Sequence, residues 1–261
     1  MEWLQQMIKQ NANDARIPAQ YVRPILWGPP LFALVVLALH SINESFYLWF
    51  VREWMPVEDM QFIFFALGSL FAFLIALRLW RDNQRVFAVI YMLFGLGLFF
   101  ISGEEVSWGQ PIFVRLFSWW PNRAALRDIN VQGETTIHNM RTVGWIFNWF
   151  QLLLALYGTL SPLLFAIPRL RADSRLRWLA LPVITLPAFL VMLAYMLIHF
   201  FVAPYNGLID SVSFLRYKEV GELALAFGLW LFVFMNWRWV SWPSEQRVTM
   251  RAGNSTDALI R

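Results

Sequence analysis

Six long apolar runs, near 24–42, 60–80, 86–103, 144–167, 178–203 and 220–240, constrain this chain more than any other feature. Each reaches the ~20 residues that a helix needs to cross a bilayer. Membrane barrels use alternating strands of about ten residues, and these continuous runs do not alternate. The chain is therefore expected to be an all-α, polytopic membrane protein. Pro29 and Pro30 fall near the start of the first run, where an early helical turn lacks internal N–H partners anyway.

Composition supports the same class. Of 261 residues, 59% are hydrophobic and only 15% charged, too apolar for an ordinary soluble domain. Residues 1–243 read as a single transmembrane bundle, and the polar stretch 244–261 as a solvated, disordered cytoplasmic tail. Fifteen Trp and 24 Phe suit aromatic belts at two membrane interfaces. The absence of Cys excludes a disulfide framework, a thiolate metal site and a Cys nucleophile. At the N-terminus there is no apolar core of a cleavable signal, and Trp3, Leu4, Met7 and Ile8 share one face of a short surface helix.

Charge sets an expected orientation. The N-terminal tail, the second and fourth connections and the C-terminal tail hold 14 of the 21 Lys and Arg residues. The positive-inside rule then places both termini in the cytoplasm and the odd-numbered connections outside. The basic residues flank apolar runs, so they report topology; no nucleic-acid partner is expected. On this division 11 of the 17 acids lie outside, with His40, His138 and His199.

The outer acids fall into patterns. "GEEVSWGQ" (103–110) closes the third run with adjacent Glu104 and Glu105. A charge at the bilayer centre costs about 2.5–3.5 kcal/mol and less towards the interface, so something must offset these two or use them. The apolar face of Ile112, Phe113, Leu116, Phe117 and Trp120 predicts a short interfacial or re-entrant helix in the third connection. "NVQGETTIHN" (130–139) follows, with Glu134 and His138 four residues apart and on one face if the segment is helical. Glu219 and Glu222 share a face at the start of the sixth run, and His40 and Glu44 are spaced similarly after the first.

Carboxylates and imidazoles gathered from several helices can hold a divalent metal ion. Closely spaced carboxyls can instead divide into a proton donor and an acceptor for metal-free acid–base catalysis. Candidate metal ligands are Glu105, Glu134, His138, Glu219 and Glu222. Candidate catalytic groups are Glu104, Glu105 and His138. Arg141 and Lys218 are candidates to orient an anionic group of a substrate, with Gln110 contacting it and Trp108 walling the site.

The two motifs together resemble those of an uncharacterised family of bacterial multi-pass membrane proteins. The shared pattern is Gly-Glu-Glu-x-Ser-Trp-Gly-Gln followed by Asn-x-Gln-x-Glu-x-x-x-His-Asn, over about 40 residues. Pro111 departs from it, since a basic residue is more usual there. The resemblance implies a bacterial inner-membrane location and raises Glu104, Glu105, Gln110, Glu134 and His138 as site residues. It carries no activity.

Each candidate also has a purely structural reading. Glu104 and Glu105 can end a helix at headgroup level, and Glu219 and Glu222 sit where a helix dipole favours acids. His40 and His199 read as packing or interfacial residues. Gly95, Gly97 and Gly103 read as sites of close helix packing. No nucleotide-binding loop, nucleophile elbow or zinc-protease motif is present. The expected function is a membrane-embedded enzyme acting on a lipid or lipid-linked substrate at the outer face. The alternatives are a non-enzymatic scaffold, or a substrate-binding subunit of a transport or export system.

Overall fold

The computed structural model describes residues 2–52, 55–117, 136–137, 140, 143–164, 178–208 and 211–241. All regular structure among them is helical, as the apolar runs require. Helix α1 (Glu2–Asp14) precedes α2 (Ala19–Ile42), α3 (Glu44–Phe50), α4 (Pro56–Arg81), α5 (Arg85–Glu105) and α6 (Gln110–Leu116). After the third connection come α7 (Gly144–Leu164), α8 (Leu186–Phe201), the single turn α9 (Ala203–Asn206), α10 (Val212–Arg216) and α11 (Lys218–Val240). Six segments are long and apolar enough to cross a membrane: Ala19–Ile42, Pro56–Arg81, Arg85–Glu105, Gly144–Leu163, Val183–Tyr205 and Val212–Val240. The chain is a multi-pass, all-α membrane protein.

Prolines and caps set several of the boundaries. Pro56 and Pro187 lie in the first turns of α4 and α8, where a missing N–H costs nothing. The fifth crossing therefore starts its helix at Val183–Thr185, later than hydropathy alone predicts. Asn43 breaks α2 from α3 with extended backbone and caps α3 by accepting from the Phe46 N–H at 2.9 Å.

One helix organises the rest. In α11 78% of the apolar stretch is buried within the protein, against 11% in α2, so α11 is the core and α2 faces lipid. Helix α4 packs along α5 and α11, while α8 packs along α7 and α11. The Phe189 ring of α8 is wedged where Gly158 and Gly228 leave room; a Cβ on Gly228 would stand 2.8 Å from it. Gly95 lets α5 approach Ala72 of α4, where the Ser69 hydroxyl also donates to the Gly95 carbonyl at 2.9 Å. Nothing lies within 4 Å of the position a Gly97 Cβ would take, so that glycine does not serve packing.

Six crossings return the chain to the side on which it began. On that side α1 lies against Val183–Thr185, with the Val183 N–H donating to Asn11 Oδ1 at 2.8 Å and Arg238 Nε to the Ala15 carbonyl at 3.3 Å. The end of α5, the start of α7, the end of α8 and the start of α11 meet at the opposite end, hereafter the distal end. Helix α6 also lies there, with Ile112 and Leu116 exposed, as an interfacial helix would be. The tail 244–261, Trp120, Glu134, His138, Arg141 and the Arg-rich fourth connection lie outside the described residues.

Candidate functional site

Glu104 and Glu105 are the last two residues of α5, and consecutive helical positions point about 100° apart. That rotation sends the two carboxylates to different places.

Glu104 is buried and held from two sides. Its Oε1 accepts from the Trp108 indole Nε1–H at 2.5 Å, and its Oε2 accepts from the Ile137 backbone N–H at 2.6 Å. The first bond folds the motif onto itself; the second pins the later motif to the end of α5. Ser107, Trp108 and Gly109 all take left-handed backbone conformations (φ 47°, 51° and 76°), which turns the chain sharply from α5 into α6. Two of the three are not glycine, so this turn is strained unless its surroundings enforce it. Gly103 is part of that enforcement, because a Cβ there would meet the Trp108 ring at 2.6 Å. Ser107 and Gln110 are fully buried and engaged by neighbours. The conspicuous residues of "GEEVSWGQ" thus build a knot. Trp108 and Gln110, expected to contact substrate, belong to it.

Glu105 faces the bundle instead. It lies within electrostatic reach of Glu222, Glu219, Glu58 and the Lys218 ammonium. Lys218 Nζ pairs with Glu222 Oε1 at 3.0 Å. Gln151 Nε2 also donates to Glu222 Oε1. Gln61 Nε2 donates to the Glu219 carbonyl at 2.7 Å and more weakly to Glu219 Oε2 at 3.4 Å. Gln61 and Gln151 are buried, and the Oε1 of each has no hydrogen-bond partner among the described residues. Tyr195 lies near Glu222 and Glu219, and His199 near Lys218. Glu58, Glu105, Glu219 and Glu222 lie within electrostatic reach of one another and, with the Lys218 ammonium bonded to Glu222, form a polar chamber.

Beside the chamber, Tyr47 of α3 donates to the Ser213 carbonyl at 2.6 Å. Burial pushes its phenol above the usual range, with Tyr217 and Glu219 adding, so it stays a neutral donor. His40 lies 3.8 Å from Glu44, whose carboxylate also accepts from Ser213 Oγ at 2.9 Å; this exposed pair is separate from the chamber.

The expected site residues therefore divide. Glu105, Lys218, Glu219 and Glu222 come together; Glu104, Trp108 and Gln110 form the neighbouring knot; Glu134, His138 and Arg141 lie outside the described residues. Thr136 and Ile137 are not helical, so the shared-face argument for Glu134 and His138 does not apply. Lys218, expected to hold a substrate anion, is paired with Glu222. Among the described residues no group of three or more His, Asp or Glu side chains is arranged to hold a metal ion.

Sequence reasoning did not single out Glu58, Gln61, Gln151 or Tyr195, and it read His199 as packing. The signal was present: each is a polar residue at the distal end of an apolar helix. Only the rotation of each helix says which of them converge.

Two hollows lie between α5 and α7 over α11. The upper one, about 20 Å³, is lined by Glu105, Gln151 and Glu222 with Ile101, Phe150 and Leu225 among its apolar walls. The second, about 140 Å³, is lined by Ile90, Tyr91, Tyr157 and Phe232, and both share Leu154 and Leu229. The α7 rim, with Phe150 and Tyr157, is exposed where lipid would lie.

Compared with protein-family models, with curated proteins and with solved structures, the chain matches none.

Proposed function

We propose that this protein is a membrane-embedded enzyme acting on a lipid or lipid-linked substrate, with the distal end at the outer face of a bacterial inner membrane and both termini in the cytoplasm. One observation carries the reading: the carboxylate chamber lies beside apolar hollows whose α7 rim is exposed. Pockets that bind small molecules commonly combine apolar walls with a few convergent polar groups.

Glu105 and Glu222 are the acid–base pair in this reading, one donating a proton while the other accepts. Lys218 holds Glu222 in place, and Glu219 shares the charge. Glu104 is a positioning residue, since both its oxygens are already engaged. The reading requires no metal, although Glu134 and His138 together with Glu105 would offer a carboxylate–imidazole set to a divalent ion. The scaffold alternative draws its support from the knot, which fixes the third connection without any chemistry.

The test is turnover. Wild-type protein and Glu222→Gln, both checked for folding, are reconstituted with a bacterial total lipid extract, and every lipid class is followed by mass spectrometry. Consumption of one class by wild type alone is expected. An unchanged lipid profile with folded wild type would overturn the proposal. Elemental analysis of the same samples separates the routes: stoichiometric metal that is lost in His138→Ala would replace the metal-free pair with a metal site.

A further inference from the structure

The larger of the two hollows has a wall that is held in place. Leu229 and Phe232 of α11 form its floor, and Ile90, Phe94, Leu154 and Tyr157 line it from α5 and α7. At the proximal end, where the chain begins, the wall is the irregular stretch 178–181 that precedes the fifth crossing. Irregular backbone at membrane depth needs partners for its polar groups, and side chains of two helices supply them. Tyr91 Oη donates to the Trp178 carbonyl at 2.9 Å, and Tyr157 Oη donates to the Leu179 carbonyl. The Leu181 N–H donates to Ser161 Oγ at 3.2 Å. The Trp178 ring packs edge-on against Trp239 of α11, 4.8 Å between centroids. Pinned from α5, α7 and α11, this wall keeps the space beside it from closing.

Size and lining decide what fits. The hollow measures about 140 Å³. Cavities of about 150 Å³ walled by apolar side chains stay dry and take up apolar molecules of ring size. Both tyrosine hydroxyls at this wall are engaged, and the other lining side chains are Ile, Leu, Phe and Trp. Such walls offer water no set of partners, so they select hydrocarbon. The mouth lies at Tyr157 and Leu179, both exposed. Exposed Leu153 and Leu160 of α7 and Val89 and Leu93 of α5 continue the lipid-facing surface of two membrane spans on either side.

Depth chooses the leaflet. Arg81 and Arg85, at the turn between α4 and α5, mark the proximal interface. From Arg85, Ile90 is about 8 Å and Phe94 about 14 Å along α5 at the rise of ~1.5 Å per residue. Half of a hydrocarbon core is about 15 Å, so the hollow lies on the proximal side of the midplane. A chain of the proximal leaflet passes this level with its middle, whereas a chain of the distal leaflet reaches it only with its end.

We infer that this hollow is a lipid site, seating a segment of one hydrocarbon chain of a proximal-leaflet lipid against the pinned stretch 178–181. The site is separate from the distal chamber, and the inference does not depend on the enzyme proposal.

Two photoreactive phosphatidylcholines test this, one with a diazirine in the middle of a chain and one with it at the methyl end. The full-length protein in vesicles containing either probe is irradiated, and labelled residues are mapped by mass spectrometry. Leu229 and Phe232 are buried, so a lipid labels them only from within the hollow. Leu74 and Leu77 of α4, exposed at similar depth, report ordinary contact with the bilayer. The mid-chain probe should label the α11 pair at least as strongly as the α4 pair, and more strongly than the chain-end probe does. Ile90→Trp, which fills the hollow, should abolish labelling of the α11 pair and leave the α4 pair unchanged as a sign of folding. Ile90→Ala, which widens the hollow, should preserve both.

Absence of label on Leu229 and Phe232 with both probes would overturn the site, as would labelling that survives Ile90→Trp. Stronger labelling by the chain-end probe would overturn the proximal source and assign the chain to the distal leaflet.

Discussion

The knot around Glu104 and the chamber around Glu105 start from neighbouring residues and solve opposite problems. Glu104 is a buried carboxylate whose two oxygens each accept a bond from a neutral donor, Trp108 and Ile137. Such a group is satisfied locally and ties two segments 33 residues apart in the chain. Glu105 is one of several acids sharing one ammonium, and its environment is dominated by other carboxylates. The first arrangement is satisfied by neutral donors; the second gathers several acids and an ammonium. A motif that looks like one unit in the sequence thus divides between a structural knot and a cluster of acids.

Substitutions test that division. The largest effect is expected where the chamber loses the Lys218 ammonium. Lys218→Met should destabilise the protein by about 3 kcal/mol, because removing one partner of a largely buried pair leaves the other charge uncompensated. Thermal unfolding in detergent measures this, and Lys218→Arg should recover part of the loss.

The knot comes next. Glu104→Gln must turn an amide N–H towards one of two donors, costing about 1–3 kcal/mol. Gly103→Ala should cost a similar amount, since the Trp108 ring must move. Both act through Trp108, so the double variant should lose less than the two single losses combined. Hydrogen exchange at the Ile137 amide should accelerate in each; unchanged exchange in Glu104→Gln would remove the knot from the account.

Tyr47→Phe, which removes the donor to the Ser213 carbonyl, should cost about 1 kcal/mol by the same unfolding measurement. Glu105→Gln has the smallest expected effect and the opposite sign. It replaces one carboxyl of a crowded acid cluster with a neutral amide, so stability should hold or rise by up to about 1 kcal/mol. Equal losses in Glu104→Gln and Glu105→Gln would erase the distinction between the two regions.

Much of this architecture was legible before any coordinates. A run of about 20 apolar residues has few options in a bilayer, because its backbone polar groups must bond within the segment. The six crossings, the all-α class and the gathering of Glu105, Glu219 and Glu222 at one end follow from composition and spacing along single helices. Those are local properties. The fate of the Glu104–Glu105 pair, the recruitment of Glu58, Gln61, Gln151, Tyr195 and His199, and the hollows between α5 and α7 are not local. Each depends on how far a helix is rotated about its axis, and packing sets that rotation, as where Phe189 fits against Gly158 and Gly228. Composition and spacing place acids at the distal end of a membrane bundle. Which of them meet was decided only when the side chains of α4, α5, α7 and α8 closed around α11.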